Sequence, residues 1–182
     1  MIIKEQYPEA IVRMEYVPSF NLKMHIDILV ILQDKWIPIE LKYKTKGGTK
    51  IVNHEIFNLK NHGAKDVNCY LYLKDIERIE SIRENVSNFK EEYTIFSTND
   101  ECYLKPPKNN NVVYYAFSLE KGVIRTGKLD WHQKTGAGTK RHYENPIILK
   151  DKYACDWKEY SKIDNSTSGT FHIIINKIKF LK

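Results

Sequence analysis

Residues 24–32, MHIDILVIL, form a near-continuous apolar run broken by one aspartate, which predicts a strand buried on both faces. After the polar turn QDK, residues 36–44, WIPIELKYK, alternate between apolar and polar, so the two segments predict a β-hairpin. Upstream, residues 10–18, AIVRMEYVP, are β-branched, partly alternating and flanked by Pro8 and Pro18; a further strand is expected there, after a helix ending near Glu9. TKGGTK (45–50) reads as a mobile basic loop with its lysines toward water. The next segment, IVNHEIFNLKNHG, is apolar at 51, 52, 56 and 59 and ends on Gly63 as a C-cap, predicting a short helix.

A longer helix is expected over 66–90, with Asp66 as N-cap and one face traced by Ile76, Ile79, Ile82 or Arg83, Val86 and Phe89. Asp75 with Arg78, and Glu77 with Lys74 or Glu80, read as charge pairs on its surface. EYTIFSTND (92–100) holds a strand, and VVYYAFSL (112–119) and TFHIIINKIKF (170–180) predict two more. Between them, residues 130–146 read as a Gly-rich basic loop and 153–169 as a short helix plus loop. Strand, hairpin, long helix and strand in that order predict a single α/β domain with a mixed sheet and a crossover helix.

Three charges fall where the hairpin calls for hydrophobes: Asp27, Glu40 and Lys42. With the turn centred on 33–35, antiparallel pairing sums lie near 67 to 69, which sets Asp27 opposite residue 40, 41 or 42. Glu40 and Lys42, two apart, share a face. Their head groups therefore come within roughly 4–8 Å of Asp27, the span of direct and diagonal cross-strand neighbours. Two carboxylates so placed suit a hard cation such as Mg2+ or Mn2+, which takes few protein carboxylates and completes its shell with water and a phosphate oxygen. The backbone carbonyl of Leu41 is a further candidate ligand, and Lys42 would orient or help deprotonate a water. The chemistry expected is metal-assisted phosphodiester hydrolysis. The alternative is an ordinary ion pair of Lys42 with Asp27 or Glu40 on a solvated hairpin face, against which stand the apolar flanks of Asp27.

Composition narrows the partners. The chain of 182 residues carries a formal charge of +6, which favours nucleic acid. Lys44, Lys46 and Lys50 follow the hairpin directly and are candidates for contact with a phosphate backbone. The second basic loop, KTGAGTKR, is as well explained by solvation. Cys69, Cys102 and Cys155 are odd in number and widely spaced, as reduced thiols would be, and the six histidines lack zinc spacing. No GxxxxGK[ST] loop or GxSxG elbow is present. The opening MIIKEQYPEA lacks a signal-peptide core and no run reaches the roughly 18 apolar residues of a membrane span, so a cytoplasmic chain is expected. Trp131, Trp157, Tyr153 and Tyr160 are expected in core or rim rather than stacked on bases.

The segment HIDILVIL…IPIELKYK resembles the motif of the PD-(D/E)XK nuclease superfamily, the restriction-endonuclease-like fold, in which one hairpin strand carries an Asp and the next Glu-x-Lys. The stretches LKDIERIESIRENVSNF, YTIFSTND and DWKEYS are also similar to an uncharacterised bacterial group within it. The resemblance implies an αβββαβ core, here with additional C-terminal strands, and magnesium-dependent cleavage of DNA. Asp27 and Glu40 would be metal ligands and Lys42 the catalytic lysine; cutting both strands would favour a homodimer. Many members carry a further Glu on a first helix, which is short or missing here. Glu5, Glu9 and Glu15 are the candidates for that role, with Glu15 preferred because it lies on the first strand. A nucleic-acid-binding or scaffold protein of the same fold that has lost cleavage is the alternative.

Overall fold

The central hairpin closes on Gln33–Asp34, whose φ angles of 51° and 59° are both left-handed, as a two-residue turn matched to strand twist requires. In the computed structural model, which describes residues 2–179, this turn joins β2 (Ile26–Leu32) to β3 (Lys35–Lys44). A short helix α1 (Ile2–Gln6) and strand β1 (Ile11–Tyr16) precede them. After β3 come β4 (Gly48–Val52), β5 (Glu55–Leu59), α2 (Lys65–Asn85) and β6 (Glu91–Thr98). The remainder comprises β7 (Ile124–Leu129), α3 (Ala137–Lys140), β8 (Ile147–Ala154), β9 (Lys158–Lys162) and β10 (Thr170–Lys179).

The architecture is mixed α/β. A six-stranded sheet runs β1-β2-β3-β6-β10-β9, and two-stranded sheets pair β4 with β5 and β7 with β8. Among the described residues only the β3–β6 pair of the large sheet is parallel, with Glu40 beside Thr94 and Lys42 beside Phe96. A parallel neighbour needs a crossover, and α2 lies on that connection. The helix buries Tyr72, Leu73, Ile76, Ile79 and Ile82 in a core shared with Leu29, Phe96, Ile174 and Ile178. Leu29 and Val30 point to opposite faces of β2 and both are buried, as the continuous apolar run predicts. Trp131, Trp157 and Tyr153 join the core, while Tyr160 is exposed. No described helix is long and apolar enough to cross a membrane.

Several expectations need correction. Residues 51–63 are not a helix but mostly the β4–β5 hairpin: Ile51 pairs with Ile56, and Asn53 and His54 (φ 49° and 67°) close a second left-handed turn. Lys50 on that hairpin does not face water; it is buried, with its ammonium 2.9 Å from Asp164 and 2.6 Å from the Ser166 hydroxyl. Residues 112–119 are turns and a 3-10 segment rather than a strand, because Tyr115, Phe117 and Ser118 donate to carbonyls three residues back. Phe117 packs edge-on to Trp131 at 4.8 Å and to Tyr70 at 5.2 Å. Residues 153–169 hold the end of β8 and all of β9 instead of a helix; Tyr153, Cys155 and Trp157 alternate inward with exposed Ala154, Asp156 and Lys158. α3 interrupts the loop expected over 130–146. The long helix starts earlier and ends sooner than expected; its N-cap is Ala64 in the left-handed region, with Asp66 inside the first turn. Phe180, the last residue of the expected final strand, lies outside the described residues.

Candidate functional site

The β2–β3 ladder runs from Leu32↔Lys35 to Ile28↔Ile39, a pairing sum of 67 that carries Asp27 opposite Glu40. There the backbone ladder stops. The Leu41 N–H donates instead to Asp27 Oδ2 at 2.6 Å, so the carboxylate stands in for a strand carbonyl. The N–H and C=O of one strand residue project to the same side, so the Leu41 carbonyl also points toward the Asp27 edge.

Opposite residues of an antiparallel pair share a face, and residues two apart along a strand do too. Asp27, Glu40 and Lys42 therefore all look toward α2. The helix meets them with Asp75 and Arg78, one turn apart. Arg78 Nη2 donates to Glu40 Oε2, and Arg78 Nη2 lies 3.2 Å from Asp75 Oδ1. Asp75 Oδ2 lies 2.6 Å from Lys42 Nζ. Asp75 and Arg78 pair as the sequence suggests, but not on a solvated surface: Asp75 is buried and both reach across to β3. The signal was legible, since Asp75 falls three residues after Tyr72 and four before Ile79, inside the apolar stripe.

Glu40 is 3% exposed. Burial pushes its carboxyl up to about 8; Arg78 offsets part of that rise, and the charges of Asp75 and Asp27 add to it. Burial likewise raises Asp75, against the pull of Lys42 and Arg78. Glu40 Oε1 and Arg78 Nε are both buried without a hydrogen-bond partner among the described residues. An orphaned carboxylate oxygen beside two further acids costs free energy unless a cation or donor completes it.

The remaining candidates lie further out. Glu15 is exposed and left-handed at φ 47°, and falls between the pairs Met14↔Ile28 and Tyr16↔Ile26, level with Asp27 across the strands. Glu5 and Glu9 are exposed. Lys44 is half-buried on the site face of β3, and burial, with Lys42 and Lys60 nearby, lowers its ammonium. Lys46 is exposed, its backbone held by the Asn99 side chain. Lys50 is buried and committed to Asp164 and the Ser166 hydroxyl. Among the described residues no three His, Cys, Asp or Glu side chains form a ready-made metal cage. No family model, curated protein or solved structure matches the chain.

Proposed function

We propose that the protein is a metal-dependent nuclease of the PD-(D/E)XK type that hydrolyses phosphodiester bonds of DNA. The observation that carries the reading is Glu40: a buried carboxylate opposite Asp27, on the face of Lys42, with one oxygen that has no hydrogen-bond partner among the described residues. The order α1, β1–β2–β3, α2, β6 supports an αβββαβ core of restriction-endonuclease-like type, with β4–β5 inserted before the helix. The donor set fits a hard cation: Asp27, Glu40 and the Leu41 carbonyl would hold Mg2+ or Mn2+, leaving the rest of the shell to water and a phosphate oxygen. When bound, the ion supplies a Lewis acid for the phosphate and a more acidic water.

The chain's own residues do the rest. Asp27 and Glu40 would bring negative charge to one spot on the interior strands β2 and β3, and the apolar flanks of β2 keep that spot shielded. Lys42, steadied by Asp75, presents an ammonium that orients the attacking water and offsets charge developing on the phosphate oxygens. Lys44 at the end of β3 and Lys46 just beyond it would continue the positive charge for the flanking phosphates, giving sequence-independent, salt-sensitive binding.

A second reading, a nucleic-acid-binding scaffold of the same fold without cleavage, draws on two observations. No third acidic ligand joins the pair among the described residues, and Arg78 already occupies one Glu40 oxygen. Incubation with supercoiled and linear DNA, with and without Mn2+ and beside Asp27→Ala, separates the two. Mn2+-dependent nicking that the variant loses supports the nuclease. DNA binding indifferent to Asp27→Ala, with no cleavage under any metal, supports the scaffold.

A further inference from the structure

Glu40, Arg78, Asp75 and Lys42 form one chain of alternating charge, two members from β3 and two from a single turn of α2. Both cations of this chain are turned to carboxylates. Arg78 differs from Lys42 in three ways that matter. Its side chain is 34% exposed, so its outer end already borders solvent. Its Nε is buried without a hydrogen-bond partner, so its donor capacity is not filled where it lies. Its planar fork matches a phosphate through two parallel hydrogen bonds, which an ammonium cannot do.

The carboxylate it grips is the one with an orphaned oxygen. A guanidinium and a divalent cation on one carboxylate repel each other, so engagement of Glu40 by a metal weakens its hold on Arg78. By linkage, whatever strengthens the released state of Arg78 strengthens metal binding in equal measure.

We propose that Arg78 is a substrate-positioning residue whose availability depends on the metal site: it is counter-cation to Glu40 in the metal-free protein and turns to a substrate phosphate once Glu40 is committed to a divalent cation. Asp75 keeps Lys42 in register and gives Arg78 a second carboxylate on which to pivot without leaving the site. The proposal rests on the nuclease reading. It makes nucleic-acid affinity and metal occupancy reciprocal, through one residue of α2 that the hairpin motif does not contain.

The test is a binding cycle with a short fluorescein-labelled DNA duplex, measured in EDTA and in Ca2+ for the wild type, Arg78→Gln and Arg78→Lys. The ratio of the Arg78→Gln Kd to the wild-type Kd is expected to grow at least fivefold from EDTA to Ca2+, the scale of one charge-assisted phosphate contact. Arg78→Lys, which keeps the charge but not the fork, should fall between. Equal ratios in the two conditions would overturn the proposal. Thermal melts report whether Arg78→Gln folds; if it does not, Arg78→Lys carries the test, with a ratio that grows at least twofold. Mn2+-dependent nicking by the wild type tests the nuclease reading separately. Nicking with unchanged ratios removes the role of Arg78 alone, whereas no nicking and no Ca2+ effect on binding removes both.

Discussion

Leu41 donates its backbone N–H to the Asp27 carboxylate at 2.6 Å, just beyond the last backbone pair of the β2–β3 hairpin. At that contact a side chain replaces the main chain as acceptor, and β3 goes on to pair with β6. The two charged side chains that flank Leu41, on the face of β3 that α2 covers, meet Asp75 and Arg78.

Stability of the metal-free protein should fall as pH rises from about 5 to about 9. Burial raises Glu40 to about 8 and Glu92 to about 9, from an ordinary value of 4.5. Both Glu92 oxygens are buried without hydrogen-bond partners. An acid with a raised folded pKa binds its proton more tightly when folded, so the folded state is favoured below both values and loses that advantage between the unfolded and folded pKa. Melting temperature against pH for the wild type, Glu40→Gln and Glu92→Gln checks this. Each variant should flatten the decline, Glu40→Gln up to about pH 8 and Glu92→Gln up to about pH 9.

The turn that positions the site can be improved. Gln33 and Asp34 both adopt left-handed φ, where Asn and Gly are the preferred pair. Gln33→Asn with Asp34→Gly should stabilise the protein by about 1 kcal/mol, read as a higher urea midpoint at unchanged slope. The hydrogen bond from Asn88 to the Asp34 carbonyl uses backbone and survives the change.

Lys50 and Asp164 should respond unequally to substitution. Lys50 is buried and its partner is not, so Asp164→Ala strands an ammonium in the interior, whereas Lys50→Met removes it and leaves an acid that water can reach. Melting temperature should drop clearly in Asp164→Ala and little in Lys50→Met. Equal losses would contradict the buried-ammonium account.

Why some of this was readable from sequence and some not follows from how each segment signals. The β2–β3 hairpin was legible because the apolar run IDILVIL and the alternating WIPIELKYK flank a short polar turn, from which the register follows. The β4–β5 hairpin was not: apolar residues at 51, 52, 56 and 59 satisfy a helical stripe as well as a strand pair, and Asn53–His54 is a weak turn signal beside Asn-Gly. β7, β8 and β9 were missed because their alternation is carried by charged residues, as in ILKDKYA and KEYSK. Asp75 and Arg78 satisfy a surface i,i+3 rule, which masks the position of Asp75 inside the apolar stripe of α2.

Metal-dependent cleavage at Asp27, Glu40 and Lys42 is tested by Mn2+-dependent nicking of supercoiled DNA, compared side by side for the wild type, Asp27→Asn, Glu40→Gln and Lys42→Met. Wild-type nicking should be abolished by EDTA and reduced by about a hundredfold or more in each variant, the scale expected when a group acting on the transition state is removed. Nicking by all three variants at the wild-type rate, or none by the wild type with any divalent cation, would contradict the nuclease reading.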